Sequence, residues 1–256
     1  MRQLLPYLVG IFAFLSVEAA ARRPIFFIPA FLLLLLATAF SLWGIYERKW
    51  SGQLRIVLLS QILLIASAFG FLLFTERTAP RHLMAAALSG MLVFMVEQLR
   101  FLKATGKEKE PGAISGFIIL SYAATVFWAS AAMFGLKIFL NAPLPPLLAI
   151  IFLVSLFFHR AFLGSALTAG DQLTAGDIAF RSFWLALFAP QIFIAVYGLP
   201  TSLAVNGAFT AIPLAVFLNL YRLKTEGRLD KRIFARNLFF AALALALVAA
   251  SAEWPA

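Results

Sequence analysis

The chain is expected to fold as an all-α, polytopic transmembrane helix bundle with about nine spans. Three observations predict this. Of its 256 residues, 63% are hydrophobic and only 12% are charged, about half the charged share of a soluble domain. Mean hydropathy is +0.95. Apolar runs of the ~20 residues that a bilayer crossing requires follow one another from residue 4 to residue 252. Polar breaks between them are short, and almost no ionisable residue lies near their centres.

The spacing predicts spans at 4–20, 25–46, 54–74, 83–102, 114–138, 144–164, 178–197, 200–221 and 233–252, all within one integral-membrane domain, 1–256. Arg2, the apolar run 4–17 and Ala19-Ala20-Ala21 also resemble a signal peptide with a small-residue cleavage site. The run reads as a first span or signal anchor. Arg22-Arg23-Pro24 ends it, because proline disfavours helix at the preceding residue. Glu47-Arg48-Lys49, Thr75-Glu76-Arg77 and residues 107–112 are charged turns; Asn141-Ala142-Pro143 and Gly198-Leu199-Pro200 are tight apolar ones. The last span contains a period-two stretch, Ala244-Leu245-Ala246-Leu247, but its long apolar setting makes it helical.

Basic residues orient the bundle. With the N-terminus inside, sixteen of the 21 Lys and Arg lie on the inner side, and Arg22, Arg23, Arg77, Arg81 and Lys137 lie outside. This bias favours a multi-pass inner-membrane protein with a cytoplasmic N-terminus and an outside C-terminus. Arg22-Arg23 runs against it. The net charge of +10 sits in short loops, which suits anionic headgroups of the lipid bilayer and excludes nucleic acid as the expected partner. The loop 222–236 is the most basic. Arg228, Lys231 and Arg232 there are candidates for anionic lipid or for a membrane protein partner.

Several chemistries are excluded. There is no cysteine, hence no disulfide, thiolate metal site or Cys nucleophile. His82 and His159 are expected at opposite ends of their spans, so one haem iron cannot take both. No mid-span lysine is present for an internal Schiff base, and no ligand cluster suits zinc. No cofactor and no metal are expected. Glu18, Glu97, Arg100 and Lys137 fall near span ends. Glu18 with Arg22 and Glu97 with Arg100 have helical pairing distances, set against a reading of Glu97-Gln98 as a proton or cation site.

Two places retain functional interest. One is the uncharged interior: Pro190 and Pro213 each lack an N–H and free the carbonyl four residues earlier, with Gln61, Gln191 and Thr210 as nearby polar groups. Broken helices of this kind form substrate sites in transporters. The other is the duplicated Leu167-Thr-Ala-Gly-Asp171 and Leu173-Thr-Ala-Gly-Asp177. Thr174 and Asp177 have capping-box spacing. Alternatively Asp171 and Asp177 hold Mg²⁺, with His159 and Arg181 beside them and arginine holding a lipid or prenyl phosphate.

The leading expectation is a non-enzymatic protein, either an embedded subunit or a passage or binding protein for a neutral or hydrophobic substrate. The alternatives are a membrane-embedded lipid- or prenyl-phosphate transferase using the Asp pair, and a scaffold with no substrate. Small-residue stripes at Ala86/Gly90, Ala124/Ala132 and Ala242/Ala246/Ala250 are expected to permit close helix approach. Trp43, Trp50, Trp184 and Trp254 suit the interfaces.

Overall fold

A computed structural model describes residues 4–47, 49–107, 113–166 and 174–252. These residues form ten α-helices and one 3-10 turn, with no strand among them. Nine helical segments are long and apolar enough to cross a membrane, as the spacing predicted. The chain divides into two compact units, Met1–Phe117 and Ile118–Ala256.

The first unit holds α1 (Leu5–Arg22), a 3-10 turn (Pro24–Phe26), α2 (Phe27–Ile45), α3 (Gly52–Leu72) and α4 (Thr78–Ala104). Pro6 lies in the first turn of α1, and Arg23 ends the helix in an extended conformation, φ −142° and ψ 119°, as Pro24 demands. Ser51 caps α3 by accepting the Leu54 N–H at 3.0 Å, which satisfies one of the donors left free at a helix start. Phe69 of α3 meets Phe27 and Phe31 of α2 edge-on, with ring centroids 5.4 Å apart in each pair. Side chains such as Val17, Leu34, Leu64, Leu88 and Leu92 fill the interior between these helices.

Helices α1 and α4 run antiparallel and touch closely at one point. Gly10 has no side chain there, and a Cβ in its place would overlap Val93 Cγ2 and approach Ser89 Oγ to 3.3 Å. Ser89 donates its hydroxyl to the Gly10 carbonyl. The expected close approach over Ala86 and Gly90 does not occur. Both are exposed, and a Cβ at Gly90 would meet nothing within 4 Å. Gly10, absent from the predicted stripes, makes the contact instead.

The second unit is built on α5 (Ser115–Leu140), which enters it at Ile118, with α6 (Leu144–Ala166), α7 (Ala175–Ala186), α8 (Phe188–Tyr197), α9 (Leu203–Thr225) and α10 (Lys231–Ala250). Phe134 of α5 stacks on Phe193 of α8 at 4.4 Å. Gly207 brings α9 against α5: a Cβ there would lie 2.8 Å from the Phe127 carbonyl oxygen and 3.1 Å from Ala131 Cβ. Asn206 pins the preceding turn, accepting from Thr201 Oγ1 at 2.6 Å and donating to Leu199 O at 3.4 Å.

The two prolines behave differently. The seventh span is interrupted where Pro190 frees the Ala186 carbonyl: α7 ends at Ala186 and α8 starts at Phe188. Pro213 does not break its helix, because α9 runs unbroken through it. Membrane helices tolerate such a proline when the surroundings keep the backbone helical. The last helix, α10, is capped by Asp230, whose Oδ1 accepts the Ile233 N–H at 2.6 Å. It packs on α9 through Asn219 and Asn237, 3.0 Å apart, and buries none of its residues. Its Ala242, Ala246 and Ala250 stripe is exposed and is not the α9 contact.

Candidate functional site

The α1–α4 pair leaves a groove along its outer surface. Tyr7, Gly10, Ile11, Phe14 and Leu15 follow one helical face of α1. Facing them on α4 are Ala86, Ser89, Gly90, Val93 and Phe94, with Glu97 and Gln98 at one end, and the space enclosed is about 780 Å³. The groove exists because Gly10 draws the helices together on one side, while Ala86 and Gly90 supply too little bulk to fill the other. Tyr7, Ile11, Leu15 and Phe94 remain about half exposed along it (57%, 56%, 57% and 51%). A second hollow of about 580 Å³ continues from it, sharing Phe14 and Leu15 and reaching Glu18, Ala19, Arg22, Arg23, Phe26 and His82.

The two ends carry different charge. At the Glu97 end, Arg100 holds Glu97 through Nε at 2.8 Å and through Nη2. This is the pairing expected from the spacing, and it leaves that end balanced. At the other end Glu18 accepts from His82 and lies 3.8 Å from Arg22. Arg81 anchors the corner by donating to Thr75 O at 2.5 Å and Ala21 O at 3.3 Å. The Arg23 side chain is exposed and has no hydrogen bond or ion pair among the described residues. Three basic side chains therefore surround one carboxylate that is already engaged.

The residues singled out from the sequence fall in both units. Gln61 is buried in the first unit, its Nε2 3.2 Å from Met95 Sδ and its Oε1 without a partner. The others of that group lie in the second unit. Thr210 is buried and donates to Asn206 O at 3.0 Å, Pro190 and Pro213 are half-buried, and Gln191 is exposed rather than turned inward. Arg228, Lys231 and Arg232 are exposed between α9 and α10, with Arg228 Nη1 3.3 Å from Glu226.

The Asp171/Asp177 group is described only in part. Asp171 lies outside the described residues. Asp177 is occupied in a capping box: Thr174 Oγ1 accepts its N–H at 3.2 Å, and its carboxylate accepts from the Thr174 N–H at 3.1 Å and hydroxyl at 2.7 Å. Arg181 is exposed, and His159 is fully buried among its neighbouring helices. Its Nδ1–H donates to Ser155 O at 2.7 Å, and the Tyr122 hydroxyl lies 2.8 Å from Ser155 Oγ. Its Nε2 is buried with no hydrogen-bond partner among the described residues. Among the described residues no group of three or more His, Asp or Glu could hold a metal. Thr174→Ala and Asp177→Ala should each lower the stability of α7 by removing one backbone bond of the box. The double variant should cost more than either single but less than their sum, since each single leaves one backbone bond of the box and both remove the bond between the two side chains. Thermal unfolding in detergent reads this, and full additivity would contradict it.

Sequence reasoning missed the groove and the Tyr122–Ser155–His159 chain. The paired positions of Gly10 and Gly90, each beside bulky apolar residues, carry a signal for the first only once α1 and α4 are known to pair. No protein-family model, curated protein or solved structure matches this chain.

Proposed function

We propose that this multi-pass membrane protein binds a hydrophobic ligand, drawn from the bilayer, in the α1–α4 groove. The observation that carries the reading is the groove of about 780 Å³, of a size typical of ligand sites and lined almost wholly by apolar side chains. Its floor at Gly90 is open rather than packed. A binding role is favoured by the apolar lining and by Glu97 being tied to Arg100. The charge bias of the loops supports an inner-membrane location with the N-terminus in the cytoplasm. In that orientation the Arg22–His82 end of the groove faces outward.

Filling the groove tests the reading. Gly90→Phe places a ring where a Cβ meets nothing within 4 Å, so the fold should be retained. A diazirine-bearing fatty acid, photo-activated in liposomes holding the wild-type protein, should label α1 and α4 peptides above the lipid-facing helices α2 and α10. Gly90→Phe should cut that labelling severalfold at unchanged thermal stability. Uniform labelling of all exposed helices, indifferent to Gly90→Phe, would overturn the proposal.

A further inference from the structure

We infer that the ligand of the groove is an anionic amphiphile, a membrane lipid whose phosphate-bearing headgroup is held by Arg22 and Arg23 beside His82 while its chain runs toward Gln98. This rests on the groove reading and names its substrate class. Inside a bilayer a hydrocarbon chain gains little by moving from neighbouring acyl tails into an apolar groove, because both surroundings are equally apolar. Selection must come from the polar end.

The charges supply it. The hollow that continues the groove is lined by Arg22, Arg23, His82 and a single acid, Glu18. Glu18 is engaged by His82 and lies 3.8 Å from Arg22, so it does not cancel Arg23. The guanidinium of Arg23 has no partner among the described residues and offers the planar fork of donors that suits a phosphate. Pro24 forces Arg23 out of helical geometry, with ψ at 119°, so α1 stops at this corner and leaves it at the membrane edge. The opposite end, with Glu97 paired to Arg100, has no free charge to compete for the headgroup.

Dimensions agree. From Tyr7 to Arg22 α1 rises ~22 Å at ~1.5 Å per residue, more than the ~15 Å depth of one leaflet, so an acyl chain lies along it without folding back. In the N-inside orientation Arg22-Arg23 is also the run that opposes the positive-inside bias. A binding role accounts for keeping two arginines on that side.

The test compares two lipids bearing the same diazirine acyl chain, one phosphatidylglycerol and one phosphatidylcholine, with the full-length protein in liposomes. The anionic lipid should label α1 and α4 about tenfold more strongly, the factor that one charge-assisted hydrogen bond commonly supplies. Arg23→Gln, which removes no hydrogen bond or ion pair among the described residues, should erase most of that preference, and Arg22→Gln/Arg23→Gln the rest. Both should leave a residual, headgroup-independent signal. Equal labelling by the two lipids in the wild type would overturn the inference while the groove reading stands; no groove labelling by either would overturn both. The chain has no cysteine, so Gly90→Cys is a unique probe. Its efficient disulfide crosslinking to a second copy would show that protein, not lipid, covers the groove.

Discussion

Gly207→Ala should lower the unfolding free energy by about 1–3 kcal/mol, the usual cost of forcing a methyl into a packed contact, and Ala131→Gly should not restore it. The added Cβ would lie 2.8 Å from the Phe127 carbonyl oxygen. That oxygen belongs to the backbone of α5 and cannot turn aside, so α9 must move as a whole. Trimming Ala131, whose Cβ is the second neighbour at 3.1 Å, leaves the first clash in place. Gly10→Ala provides the contrast. Its new Cβ would overlap a side-chain methyl of Val93, so the loss should be of similar size but largely recovered in Gly10→Ala/Val93→Ala. Thermal unfolding of these variants, together with Ala131→Gly and Val93→Ala alone, in one detergent reads the difference as a coupling term. Rescue at Gly207 by Ala131→Gly, or none at Gly10 by Val93→Ala, would contradict the contacts described.

Ser155→Ala should be the most costly single change in the buried polar chain of the second unit, at about 1–2 kcal/mol. Ser155 Oγ lies 2.8 Å from the Tyr122 hydroxyl and 3.2 Å from His159 Nδ1, and all three side chains are buried. Its removal strands the tyrosine hydroxyl, with no water in the bilayer core to replace the lost partner. Removing both members is milder, since no orphan remains. Ser155→Ala/Tyr122→Phe should therefore be more stable than Ser155→Ala alone. Strictly additive losses would show that the two hydroxyls do not depend on each other.

The spans were legible because the membrane imposes a length and a polarity on each segment separately. The run from Gly52 to Leu72 announces itself as a helix whatever it packs against. The break at Pro190 was legible for the same local reason. Pro213 was not, because whether a proline interrupts a membrane helix depends on what surrounds it, and α9 stays helical there. Pairings were out of reach. Gly10 and Ser89 are linked by one hydrogen bond across most of the first unit's sequence, and nothing local marks either as the other's partner. Ala86 and Gly90 were read as a packing stripe because small residues most often serve that purpose; here no neighbour fills the space beside Gly90, and both line the groove. His159 was placed by its distance from the end of its span, which gives depth but not the face it presents. Its partner Tyr122 lies on another helix. The charged pairs Glu97–Arg100 and Glu18–Arg22 could be anticipated from helical spacing, whereas the meeting of Glu18 with His82 requires the fold.

The way α10 is attached gives the second unit two scales of cohesion. A helix in lipid keeps its backbone hydrogen bonds within itself, so lateral separation of α10 from α9 would break none of them. It would release the Asn219–Asn237 bond and side-chain contact with α9, but expose no α10 residue that is fully buried. An interhelical polar bond of this kind contributes only ~0.6–2 kcal/mol in a membrane, far less than withdrawing the long apolar run 238–250 into water. Insertion and association are therefore decoupled for this helix: the bilayer holds it across the membrane, and a weak, reversible equilibrium sets where it stands beside α9.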